Sequence, residues 1–171
     1  MKSSGTAIVS ILDRVSDAVG RAASWLTFVM VIATFVIVVL RYAFGTSFIW
    51  LQESLIWMHA VVFMIGASYT LQHDEHVRVD IFYRDMSNKR RALVNAFGVL
   101  LFVFPLCVFI FYQSFDYVTA AWSLREISHD AGGLPYPAIP LLKSLLLLMP
   151  LTVGLQGLAL LLRSWREFRV R

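Results

Sequence analysis

Residues 22–40, AASWLTFVMVIATFVIVVL, carry no charged side chain at all. A helix of about 20 apolar residues is long enough to cross a bilayer. Three more runs have the same character: SLIWMHAVVFMIGASYTL at 54–71, ALVNAFGVLLFVFPLCVFIFYQSF at 92–115 and SLLLLMPLTVGLQGLALLL at 144–162. None alternates apolar and polar residues in ten-residue pieces, so a transmembrane β-barrel is a poor fit. The chain is 58% hydrophobic and 15% charged, against about 25% charged in ordinary soluble domains. A soluble protein of 171 residues cannot hide that much apolar surface. The expected fold is an all-α membrane protein with four transmembrane helices.

The remaining residues are few. Residues 1–21 are expected to form an amphipathic amino-terminal arm, 22–163 the four-helix membrane domain and 164–171 a basic tail. In the arm, Ile8, Ile11, Leu12, Val15 and Val19 recur at spacings of three and four among Ser10, Asp13, Arg14, Ser16, Asp17 and Arg21. That pattern predicts an interfacial helix preceding the first span. The first apolar run is longer than a signal-peptide core and ends at Arg41-Tyr42 without a small-residue cleavage site. It reads as a retained anchor. Pro105 and Pro150 fall inside spans three and four, where lipid-embedded helices tolerate proline at the cost of a kink.

Charge orients the spans. Lys2, Arg14 and Arg21 precede span one; Arg78, Arg84, Lys89, Arg90 and Arg91 lie between spans two and three; Arg163, Arg166, Arg169 and Arg171 follow span four. Only Arg41, Arg125 and Lys143 fall on the other side. The positive-inside rule therefore predicts that both termini and the stretch HDEHVRVDIFYRDMSNKRR, 73–91, face the cytoplasm. The net charge of +4 is then explained by basic residues flanking spans on an anionic membrane face, and no nucleic-acid partner is expected.

Few side chains carry chemistry. Cys107 is the single cysteine, which permits no intrachain disulfide and no thiolate metal cluster. His59 lies within span two, where a helix–helix hydrogen bond to Asn95 or Gln156 is the expected role. A haem held between spans normally needs two facing imidazoles, and His73, His76 and His129 lie at or beyond span ends. Glu53 opens span two in FIWLQESL; there a carboxylate binds a cation, caps the helix, pairs with Arg41 or meets a partner protein. Trp50 and Trp57 beside it read as interfacial or partner-facing aromatics. His129 and Asp130 make at most half a metal site, and the two histidines of HDEH lack a third ligand. The segment REISHDAGGLPYPAIP predicts an ordered turn that enters span four in an extended path. No HExxH, P-loop or activated nucleophile is present, so no enzyme, cofactor or metal is expected.

In this order, these motifs resemble the small integral-membrane subunit of tripartite ATP-independent periplasmic (TRAP) transporters over about residues 20–165. RYAFGTSFIWLQE, 41–53, resembles the family's Arg-Tyr closing span one, followed by a Trp and an acid opening span two. Trp50 and Glu53 match, while Gln52 stands where many members carry a second acid. In HVRVDIF, 76–82, His76, Val79 and Asp80 fall on preferred positions; GGLPYPAIP and SLLLLMP also resemble members. The resemblance implies a static, non-catalytic scaffold in the bacterial inner membrane. Its implied partners are a large membrane subunit carrying the sodium and substrate sites, and a periplasmic binding protein. The implied substrates are small organic acids, with no direct substrate site in this chain. Arg41, Trp50, Glu53, Trp57, His59, His76, Val79 and Asp80 are accordingly expected to serve structure or subunit contact. Two other readings are a haem-binding or electron-transfer anchor and a small homo-oligomeric channel or exporter.

Overall fold

In a computed structural model of the chain, residues 4–73 and 86–169 are described. Their regular structure is all helical: α1 Ser4–Ala43, α2 Ile49–Gln72, α3 Asn88–Gly98, a π-helical turn Val99–Val103, α4 Phe104–Ser123 and α5 Ala138–Arg169. Four stretches are long and apolar enough to cross a membrane: Ser16–Ala43, Ile49–Gln72, Lys89–Ser123 and Ala138–Trp165. The four expected spans are all present, each longer than its uncharged run. Span three is the clearest case, because its helix continues through Asp116 to Ser123.

An amphipathic helix was expected over 1–21 before span one, and α1 runs unbroken from Ser4 to Ala43. Nothing in the sequence stops it: no proline lies between residues 4 and 43, and a lone helical glycine weakens a helix without ending it. Gly20 also has a packing role, since a Cβ there would collide with the Tyr69 ring of α2. At 1.5 Å per residue, α1 is about 60 Å long.

The π-helical turn marks Pro105. A proline ring crowds the carbonyl four residues back and offers no N–H to it. Widening the preceding turn relieves that conflict, and the Phe104 N–H reaches back five residues to the Val99 carbonyl. Such bulges are a recognised way for a helix to absorb a local insertion or kink. Pro150 lies inside α5, which remains helical on both sides of it.

Helix α5 is the hub. On one side it packs against α2 and, over a shorter stretch, against α1, which is itself paired with α2; on the other it packs against α3, the π turn and α4. Among the described residues, α1 and α2 make no sustained contact with α3 or α4. The helices therefore lie side by side instead of closing around a shared axis. Only 6% of the most apolar part of α1 is buried within the chain, against 28% for α5. The buried apolar positions are mostly small or β-branched, among them Ala23, Ala92, Val99, Val118, Ala121 and Ala159. Small side chains let helix backbones approach closely, which is how helices associate when lipid offers no hydrophobic driving force. At Gly157 a Cβ would lie 3.2 Å from the Val99 side chain, so the backbone of α5 packs closely on the side chains of the π turn.

Candidate functional site

The polar side chains that meet across helices lie toward the ends of the layer. At one end, residues 44–48 join α1 to α2 and residues 124–137 join α4 to α5. Helix α2 begins there, and Trp50, Glu53 and Trp57 recur at three- and four-residue spacing, which stacks them on one helical face. That face meets the 124–137 connection at successive points. The Trp50 backbone N–H donates to the Gly132 carbonyl at 3.1 Å. The Glu53 carboxylate accepts the Leu134 N–H at 2.6 Å and the Ser128 hydroxyl. One turn further, the Trp57 indole N–H donates to the Ala138 carbonyl at 3.0 Å.

The connection is shaped for this carboxylate. Ser128 also accepts the Asp130 N–H at 3.1 Å, and the Gly133 N–H closes a turn on the Asp130 carbonyl at 3.1 Å. Gly132 sits at φ +82°, a left-handed conformation suited to glycine. Gly133 is required for room: a Cβ there would collide with the Ser128 hydroxyl and lie 2.7 Å from Glu53 Oε1. Glu53 is thus met by one backbone donor and one hydroxyl, the donor set that stabilises a carboxylate without a counter-cation. Behind it, Lys143 on α5 pairs with Glu126 at 2.6 Å and lies 4.0 Å from the centre of the Tyr117 ring. The Trp122 indole N–H donates to the Ser144 hydroxyl at 3.0 Å. The entry to span four turns at 131–132 and 136–137 and is tied to α2 by hydrogen bonds at Gly132, Leu134 and Ala138.

Trp50, Glu53 and Trp57 are thus brought together as a structural clasp. Arg41 is not part of it: its side chain is exposed at the last turn of α1, where a cation complements the helix dipole. The Glu53 oxygens are taken by Ser128 and Leu134 of the connection. His59 is exposed, its ring stacked on Phe63 with centroids 6.3 Å apart. Its suggested partner Gln156 is buried and directs its amide to Asp13 at 3.4 Å; Asn95 lies on α3, which packs on α5. His129 and Asp130 are exposed, and no group of three or more His, Cys, Asp or Glu converges among the described residues. His76, Val79 and Asp80 lie outside the described residues.

Sequence reasoning missed Ser128, Gly133 and Leu134 as partners of Glu53, and missed the Lys143–Glu126 pair. The Gly-Gly pair before a proline was the available signal. It marked a turn, but not the side chain the turn enfolds.

At the opposite end, which carries both termini, Asp13 of α1 pairs with Arg163 of α5. Asp17 accepts the Gln72 amide at 3.1 Å and stands 3.5 Å from the His73 ring. The carboxylates of the arm are thus held by α2 and α5.

A model of the family described as "Tripartite ATP-independent periplasmic transporters, DctQ component" matches residues 30–170. The chain belongs to the DctQ-component family. No curated protein and no solved structure gives a significant match. Membership makes this four-helix chain a membrane component of a transporter and not an enzyme. It also agrees with the resemblance carried by residues 41–53, 76–82 and 132–150. In this DctQ component, the Glu53 hydrogen bonds join the connection before α5 to the start of α2.

Proposed function

We propose that the chain is the non-catalytic scaffold subunit of a sodium-coupled secondary transporter for small organic acids. It works beside a large membrane subunit, which holds the ion and substrate sites, and with a periplasmic binding protein. It lies in the inner membrane of a bacterium, with both termini and residues 73–91 in the cytoplasm. The Glu53 clasp then faces the periplasm. The observation that carries this reading is the side-by-side layer, whose apolar faces stay exposed within the chain. A secondary transporter normally builds its site at the midplane from repeats and broken helices. Here the polar contacts between helices lie toward the two ends, whereas the exposed flanks suit a partner's helices.

The test is co-purification and uptake. A tagged copy of this chain should bring down a large membrane subunit in mild detergent. Its deletion should abolish sodium-dependent uptake of the organic acid, with recovery on re-expression. Full uptake without the chain, in cells holding no replacement, would refute the scaffold role. A visible absorption spectrum separates the electron-transfer alternative, because haem bands in the purified complex favour that reading.

A further inference from the structure

Helices α3–α4 and α5 leave a furrow along one side of their contact. Its first part, about 630 Å³, has Leu93, Ala96 and Leu100 on one wall and Leu162 and Trp165 on the other. A second hollow, about 530 Å³, follows it between the stretch from Phe104 to Tyr112 and that from Pro150 to Leu158. Positions 151, 155, 158, 162 and 165 recur every three or four residues, so both parts lie on one face of α5. The walls are almost wholly hydrocarbon.

The mouth of the furrow, at the end carrying both termini, changes character. Lys89 stands four residues before Leu93 and Arg90 three before it, both exposed. That spacing sets them one turn beyond the first part of the furrow. The first turn of α3 contains no acid, and Ser87 makes no side-chain cap. Its leading N–H groups therefore add to the positive field of the two cations. Across the mouth, Trp165 is 64% exposed, a common setting for an aromatic at the membrane–water boundary. Of the carboxylates at this end, Asp13 and Asp17 are engaged with Arg163 and with Gln72 and His73.

We propose that the furrow holds one anionic phospholipid drawn from the leaflet at that end. Its acyl chains lie between α3–α4 and α5, and its phosphate meets Lys89, Arg90 and the start of α3. An apolar trough with fixed cations at its aqueous mouth matches an amphiphile with an anionic head. A basic site between transmembrane helices is a known form of lipid recognition. A partner helix would instead need its own acid at the depth of Lys89. The inference goes beyond the scaffold role and does not depend on it.

Native mass spectrometry of the full-length chain in mild neutral detergent tests this directly. The chain is titrated with phosphatidylglycerol or with phosphatidylcholine of the same acyl composition. The wild type should prefer phosphatidylglycerol by about tenfold. Lys89→Gln with Arg90→Gln should bring the two lipids within about twofold, while Lys89→Arg with Arg90→Lys keeps the preference. Ala96→Phe fills the trough and should weaken both lipids together. Equal binding of the two lipids by the wild type overturns the proposal, as does a preference unchanged in the glutamine variant. Cross-linking of position 162 to a large subunit, with phosphatidylglycerol lost from the intact complex, also overturns it in favour of a protein occupant.

Discussion

At the loop end an acid of α2 is enclosed by a hydroxyl and a backbone N–H of one turn, whereas at the other end acids of α1 reach charged and amide side chains of α5 and α2. Glu53 meets Ser128 and Leu134; Asp13 meets Arg163, and Asp17 meets Gln72. Both devices join segments far apart in sequence, but their physics differs. A charge-assisted bond to a backbone N–H has a fixed donor and a defined direction. A half-exposed ion pair between long side chains has to order both of them and is screened by salt. The loop end is therefore the more rigid clasp, and the other end the more adjustable one.

The largest effect should follow from Glu53→Ala, which leaves the Leu134 N–H and the Ser128 hydroxyl without their acceptor. The thermal midpoint in detergent should fall by several degrees, and a cysteine introduced at Ala131 should become faster to label. Glu53→Gln keeps an acceptor and should fall about half as far. Equal losses for the two variants would mean that the negative charge matters more than the acceptor geometry. Gly133→Ala should resemble Glu53→Ala, because its Cβ enters the space of both partners.

A smaller effect is expected from Asp13→Arg, with partial recovery when Arg163→Asp is added. High salt should narrow the difference between wild type and the single variant but leave the Glu53→Ala difference unchanged. Salt dependence at both ends alike would erase the contrast between them. The smallest change should be Trp57→Phe, which removes one indole bond to Ala138 and keeps most of the ring. About 1 kcal/mol is the scale of such a neutral bond, read as a shift in the chemical-unfolding midpoint.

The spans were legible because lipid demands long uncharged runs and tolerates few exceptions. The ordered turn before α5 was legible for a similar reason, since Gly-Gly and three prolines restrict the backbone locally. Hydropathy, however, reports depth and not azimuth. It set His59 inside span two but did not show that its ring lies on an exposed face beside Phe63. The spacing of Ile8 to Val19 likewise predicted a helix without showing whether it bends away from span one. Glu53 was singled out with a cation, a helix cap, Arg41 or a partner protein left open as its counterpart. Its partners are 75 and 81 residues away, beyond the range of any local pattern.

The position of α5 as hub has a consequence for the order of assembly. A ribosome delivers α1 and α2 first, and these can pair as they enter the bilayer. Helices α3 and α4 follow, but their main neighbour has not yet been made. Until Ala138–Arg169 is inserted, the third span stands alone in lipid with no helix to hold its rotation or tilt. The last span to be synthesised is thus the one that turns a hairpin and a solitary helix into one protein. A chain that stops before residue 138 should be recognised as unfinished, however well its first three spans have inserted.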